Sequence, residues 1–217
     1  MDIEQARFNM IEQQIRPWGV LNSNILDVLK TIKRENFVPQ KYRNLAFADL
    51  EIPLSNGQKM LSPKIDARVL QELMISKNEN ILEIGTGSGY MAALLASCGK
   101  QVTTVEIDYD LYNQAKNNLQ CNDIQNVSVI HHNGLNYLTE KDTFDIIVLS
   151  GGLPFIPQSI LENLKIGGRL SAFVGSEPIM KAQIVTRKEN NKFEFVDLFE
   201  TFVEYFNEIK FNSSFVF

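Results

Sequence analysis

Beyond Asn80 the apolar positions of the chain change rhythm. Ile81-Leu82-Glu83-Ile84 is a short apolar run, Met91 to Ser97 an amphipathic stretch, Val102-Thr103-Thr104-Val105 a second run and Leu111 to Leu119 a second amphipathic stretch. Such a pattern predicts strand, helix, strand, helix, the alternation of a parallel sheet covered by helices. It continues through Val127-Ser128-Val129-Ile130 and Asp145-Ile146-Ile147-Val148-Leu149, the latter apolar enough for a central strand buried on both faces. A helix near Gln158 to Leu164, a turn at Lys165-Ile166-Gly167-Gly168 and a strand from Arg169 to Val174 follow. Ala182 to Arg187 and Phe193 to Phe199 then flank Asn190-Asn191 as a hairpin.

Upstream of Asn80 the period is helical. Phe8, Ile11 and Ile15 recur at helical spacing, and a second helix starts at Asn24-Ile25-Leu26 with Asn22 or Ser23 as its cap. Pro17 and Gly19 separate the two. The expected architecture is α/β, a doubly wound Rossmann-like sheet in a single domain over residues 1–217. A helical N-terminal cap spans residues 1–60, and the α/β core over 61–217 ends in antiparallel strands. A chain of 217 residues can bury a core of that size.

Composition acts mainly by exclusion. With 44% hydrophobic and 22% charged residues the chain is that of an ordinary globular protein. A net charge of -5 with scattered Lys and Arg gives no basic face for a nucleic acid. Cys98 and Cys121 form no CxxC pair, which points to free thiols rather than a disulfide framework or a zinc site. The start, Met1-Asp2-Ile3-Glu4, has no basic and apolar leader pattern, and no stretch reaches the roughly twenty apolar residues that span a bilayer. A cytoplasmic protein with no membrane and no metal is expected.

The main chemical signal is Leu82-Glu83-Ile84-Gly85-Thr86-Gly87-Ser88-Gly89-Tyr90. Glycines after a strand and before a helix allow a tight turn that a ligand can approach without meeting a Cβ. Seventeen residues after Gly89, at the end of a strand, Glu106 can accept both hydroxyls of a ribose. Dinucleotide sites favour G-x-G-x-x-G with a pyrophosphate at the helix start, whereas here the glycines alternate, and the Glu83 carboxylate would repel a pyrophosphate. A cofactor carrying an ammonium and a sulfonium favours nearby acid. The motif is similar to motif I of the S-adenosylmethionine-dependent methyltransferases; the alternative is a glycine turn needed only for packing. That resemblance implies a cofactor site of Gln58, Glu83, Gly85, Thr86, Gly87, Ser88, Gly89, Glu106, Ile107, Asn133 and Gly134. In methyltransferases the position of Asn133 commonly holds an acid facing the adenine amine. Asn133 can serve there through its amide, or Asn133-Gly134 can be simply a turn. His131 and His132 face two directions at a strand end and have no ligands near them in sequence.

A wider resemblance covers most of the chain. Met10 to Ile15, Arg34-Glu35-Asn36-Phe37-Val38-Pro39, Ala46 to Asp49, Gly57-Gln58, Leu82 to Tyr90 and Leu164 to Leu170 resemble the protein-L-isoaspartate O-methyltransferases in order and spacing. The resemblance implies methyl transfer from S-adenosylmethionine, leaving S-adenosylhomocysteine, to the α-carboxylate of L-isoaspartyl residues in damaged proteins or peptides. The ester then closes to a succinimide that can reopen to aspartate. A monomer or homodimer is expected.

Three stretches depart from the family pattern. Its acceptor loop reads Gly-Gln or Gly-Ala, then Thr-Ile-Ser, one residue and Pro; here Lys59 stands for the Thr, Leu61 for the Ser, and Ser62 comes one position late. Ser62 is either a hydroxyl at the acceptor or the N-cap of a helix from Lys64 to Leu73 with Pro63 at its first position. Lys59 is either a charge for the acceptor carboxylate or a solvated lysine. Asn133 replaces an Asp, and Leu149 to Pro154 replaces a Thr-Ala-Ala stretch. Three functions therefore stand: isoaspartyl methylation, methylation of another acceptor, and cofactor binding without transfer. The aromatic segments Phe199 to Phe206 and Phe211 to Phe217 belong to the core or to an oligomer surface.

Overall fold

The computed structural model describes residues 2–137 and 141–209. In chain order the elements are α1 (Ile3–Met10), α2 (Ser23–Thr31), a two-residue strand pair β1 (Ile52–Pro53) and β2 (Lys59–Met60), α3 (Pro63–Glu72), β3 (Asn80–Ile84), α4 (Tyr90–Cys98), β4 (Gln101–Glu106), α5 (Tyr109–Cys121), β5 (Val127–His131), β6 (Phe144–Leu153), α6 (Gln158–Leu161), β7 (Leu164–Ser176), β8 (Ile179–Glu189) and β9 (Lys192–Thr201). The β1–β2 pair was not expected, because two residues per strand leave no alternation to detect.

Seven strands form one sheet in the order β5-β4-β3-β6-β7-β8-β9. The first five pair in parallel, and β7–β8 and β8–β9 are antiparallel. The chain lays β3, β4 and β5 outward in one direction and then returns to place β6 on the other side of β3. This reversal is the switch point, and ligands bind at the carboxyl ends of strands there. The glycine motif leaves the end of β3 at that point. The β8–β9 hairpin turns at Asn190-Asn191 as expected, with Asn191 at φ +58.

Packing explains where the sequence pattern misled. On α1 the inward stripe is Arg7, Met10, Ile11 and Ile15, while Phe8 is exposed; a π-helical turn over Ile11–Ile15 shifts the face that a regular period places at Phe8. The second helix has Asn22 as its N-cap, accepting from the Asn24 amide. The stretch expected to be an amphipathic helix is α4, in which every residue except Ser97 is buried. Its outer side lies under α2 and α3, whose Ile25, Leu29, Val69 and Leu70 join one apolar cluster with it. The expected turn at Lys165 to Gly168 is instead an irregular stretch of β7, where pairing with β6 jumps from Phe144–Leu164 to Ile146–Arg169 around Gly167 at φ +83.

Phe199, Phe202, Tyr205 and buried Phe206 pack against the core. Trp18 meets Phe199 edge-on with ring centroids 4.7 Å apart, tying the N-terminal cap to β9. The stretch Phe211 to Phe217 lies outside the described residues.

Candidate functional site

The end of β3 delivers Gly85, Gly87 and Gly89 in a loop with all three at positive φ. At the neighbouring end of β4 the Glu106 carboxylate accepts from the Gly87 amide (2.8 Å) and the Asp108 amide (3.0 Å). Burial raises its pKa, and these amide donors oppose the shift. The C-terminal segment closes the floor. It pairs with the end of β6 through Gly152 N to Glu204 O (2.8 Å) and Phe206 N to Gly152 O (3.2 Å). The Phe206 ring then lies so close that a Cβ on Gly85 or Gly151 would sit 2.8 Å from it. Only glycine fits beneath that ring.

The loop between β1 and β2 forms a roof. Asn56 donates to Asp108 on one side. On the other, Gln58 Nε2 donates to Asn207 Oδ1 at 2.6 Å, and Lys59 Nζ lies 2.7 Å from Glu204 and 3.3 Å from Glu51. The hydrogen bond to Glu204 raises the Lys59 pKa. Lys59 is exposed and at the same time paired, half of a clasp between the roof and the C-terminal segment.

Two clefts meet under this roof. The first, with about 500 Å³ of non-atom space including its open mouth, is lined by Gln58, Lys59, Gly85, Gly87, Glu106, Ile107, Gly134, Phe206, Asn207 and Glu208 among others. The second is lined by Leu61, Asp66, Glu83, Thr86, Ser88 and Tyr90, and the two share Leu54, Lys59, Gly85, Gly87 and Ser150. Glu83 is fully buried at the base of the second. It accepts from Thr104 Oγ1 (2.6 Å) and Ser150 Oγ (3.1 Å), and Thr104 is 2.6 Å from Thr86 Oγ1. Burial pushes its pKa up to about 8, the hydroxyl donors pull it back, and the Asp66 and Glu106 charges add to the rise. Burial thus favours the protonated form of Glu83, and a cation beside it would favour the carboxylate.

Behind the second cleft, Arg34 is buried and donates to Asp66 (2.8 Å), the Leu61 carbonyl (2.6 Å) and the Ala46 carbonyl (3.1 Å), with its guanidinium 4.9 Å from the Tyr90 ring centroid. This fixes the Leu61 backbone against α3. A family model described as protein-L-isoaspartate(D-aspartate) O-methyltransferase matches residues 5–206. The chain belongs to the protein-L-isoaspartate O-methyltransferase family.

Members of this family resemble it over most of their length. The protein-L-isoaspartate O-methyltransferase of Methanospirillum hungatei JF-1 is 37% identical over 184 residues, 85% of each chain. That of Petrotoga mobilis SJ95 is 34% identical over 200 residues, 91% of this chain and 94% of that protein. Among solved structures, a Plasmodium falciparum protein assigned to the same activity, in complex with S-adenosyl-L-homocysteine, superposes with a TM-score of 0.80 at 17% identity over 94% of this chain and 98% of its own. A second protein-L-isoaspartate O-methyltransferase gives 0.79 at 22% identity over 94% of this chain and 65% of its own. The fold, with its parallel sheet and antiparallel C-terminal strands, is shared with both.

Within this family member most of the residues singled out in the sequence converge. Gln58, Lys59, Gly85, Gly87, Glu106, Ile107 and Gly134 line the first cleft, and Glu83, Thr86 and Ser88 the second. Three line neither. Gly89 caps α4 and packs on Ala115. Asn133 turns its Oδ1 to the Leu135 and Asn136 amides, the geometry of the turn reading. Ser62 occupies the N-cap of α3, yet its side chain makes no cap hydrogen bond: its carbonyl takes the Ile65 and Asp66 amides, and Pro63 supplies no donor. Ser62 Oγ is buried without a partner among the described residues, and Leu61 faces the second cleft in its stead.

The sequence reading missed Ser150, Gly151, Glu204, Phe206, Asn207 and Glu208. Ser150-Gly151 had a signal, since they end the most apolar strand beside the switch point. The C-terminal four carry no local motif. Among the described residues no group of three or more His, Cys, Asp or Glu is placed to hold a metal ion, and no helix is long and apolar enough to cross a membrane.

Proposed function

We propose that this chain methylates the α-carboxylate of L-isoaspartyl residues in damaged proteins, using S-adenosylmethionine, as a cytoplasmic monomer or homodimer. One observation carries the reading: the cleft floored by the glycine loop and Glu106 opens along a shared wall into the cleft lined by Lys59, Leu61 and Glu83. The residues fit the cofactor. Gly87 stands at φ +54 with Leu54 Cδ1 3.2 Å from where a Cβ would sit, so only glycine leaves room there, Glu106 offers acceptors for a ribose, and buried Glu83 gains a counter-charge when an ammonium is near. Bound S-adenosylmethionine supplies a methyl group on sulfonium.

The chain itself moves no proton at the acceptor, because an isoaspartyl carboxylate is already a nucleophile at neutral pH. Its work is alignment, which can account for about 7–11 kcal/mol of a barrier. Lys59 is the cation at the junction of the clefts, and an acceptor carboxylate exchanges with Glu204 for it. Leu61 makes the acceptor wall apolar where the family pattern has a hydroxyl, and that specific feature favours a second reading, a methyltransferase for another carboxylate. Labelled methyl transfer to an isoaspartyl peptide, with the aspartyl peptide as control, tests the choice. Transfer to the isoaspartyl peptide alone supports the first reading, and none in a sample that binds the cofactor supports the second.

A further inference from the structure

We propose that Glu208, on the C-terminal segment, is the acceptor for the exocyclic amine of the cofactor's adenine. The inference rests on the cofactor assignment above and adds to it a residue outside every motif of the sequence. An adenine amine is a donor and requires an acceptor when taken out of water. Asn133 cannot supply one: its single carbonyl oxygen has two lone pairs, and the Leu135 and Asn136 amides take both at 3.0 and 3.3 Å. Its remaining polar group, an NH2, would face donor to donor. The turn it caps leaves Gly134, not Asn133, on the wall of the first cleft.

Glu208 lines that same cleft with Glu106, Ile107 and Gly134. Its Oε2 is buried and has no hydrogen-bond partner among the described residues. A buried carboxylate oxygen without a donor costs free energy, so its environment asks for one. The turn that presents it is fixed on both sides. Ile209 N donates to Phe206 O at 2.9 Å, Phe206 is seated on the glycines, and Asn207 is held by Gln58. Partial burial raises the Glu208 pKa; the side chain as a whole is half-buried at the mouth of the cleft. The ribose falls to Glu106, and the base edge to Glu208.

Calorimetric affinities for S-adenosyl-L-homocysteine and for S-inosyl-L-homocysteine, in which a carbonyl replaces the amine, test this on the full chain without turnover. The wild type is expected to prefer the adenosyl compound by about ten- to a hundredfold, what a hydrogen bond to a charged group is worth. Glu208→Ala should bring the ratio within about threefold of unity, by weakening the adenosyl compound alone. Glu208→Gln, which keeps the shape and can donate as well as accept, should narrow it too. A wild type that does not discriminate, or variants that lose both ligands equally, would overturn the assignment. Failure of the wild type to bind S-adenosyl-L-homocysteine at all would overturn the cofactor reading itself.

Discussion

Replacing Glu83 with glutamine should change how the stability of the ligand-free protein depends on pH. Glu83 is fully buried, its hydrogen-bond partners among the described residues are the Thr104 and Ser150 hydroxyls, and burial raises its folded pKa to about 8 against an ordinary value of 4.5. The folded value is the higher one, so the contribution of the protonated carboxyl is fully present below about pH 4.5 and is lost as the pH climbs to about 8. Within that window the folded state holds one more proton than the unfolded state, and stability falls by about 1.4 kcal/mol per pH unit. From pH 5 to 8 the loss is about 4 kcal/mol, or roughly 10 °C in the midpoint of a chain this long. Glutamine has the shape of the neutral acid and cannot ionise. Urea unfolding at half-unit steps should find the two proteins of similar stability near pH 5 and Glu83→Gln increasingly the more stable toward pH 8. Parallel profiles, or a constant offset at every pH, would refute the reasoning.

Glu106→Ala should weaken S-adenosyl-L-homocysteine binding by about 1.5 to 3 kcal/mol through loss of a charge-assisted hydrogen bond, and unchanged affinity by calorimetry would count against the ribose role. Gly85→Ala should lower stability by about 1 to 3 kcal/mol, since φ +89 strains any side chain and the new Cβ meets Phe206 at 2.8 Å; urea midpoints measure it. Arg34→Met leaves Asp66 buried without its cation and should cost about 3 to 5 kcal/mol, part of it recovered by adding Asp66→Asn. Leu61→Ser with Lys59→Thr should raise isoaspartyl methylation in the label-transfer assay if the native acceptor is isoaspartyl, and should leave it unchanged otherwise.

What was legible in the sequence is what local chemistry encodes. Strand and helix alternation, the Asn190-Asn191 hairpin, the glycine loop and Glu106 each depend on residues within a few positions or on one strand pair. The misreadings have a common cause in tertiary packing. Phe8 belongs to the helical period by spacing but is turned outward by a π-helical turn, and α4 is apolar all round because α2 and α3 cover it. Ser62 does stand at the N-cap of α3 ahead of Pro63, as read; what the sequence could not tell is that its carbonyl takes the first-turn amides while its hydroxyl makes no cap hydrogen bond. Glu204 to Glu208 reach the site by pairing with the end of β6, and nothing near them in sequence foretells that partner.

That long reach also sets an order of events during synthesis. Gln58 and Asn207 are 149 positions apart, and Lys59 and Glu204 are 145 apart. The glycine loop and Glu106 leave the ribosome about a hundred residues before their cover, an interval of roughly 5 to 20 s at about 5 to 20 residues per second. Throughout it the nascent chain has the base for the donor and the loop above it, but not the C-terminal wall that clasps that loop. The site is completed only by the residues that follow the last strand, and a chain that ends before residue 203 lacks the wall that closes the groove.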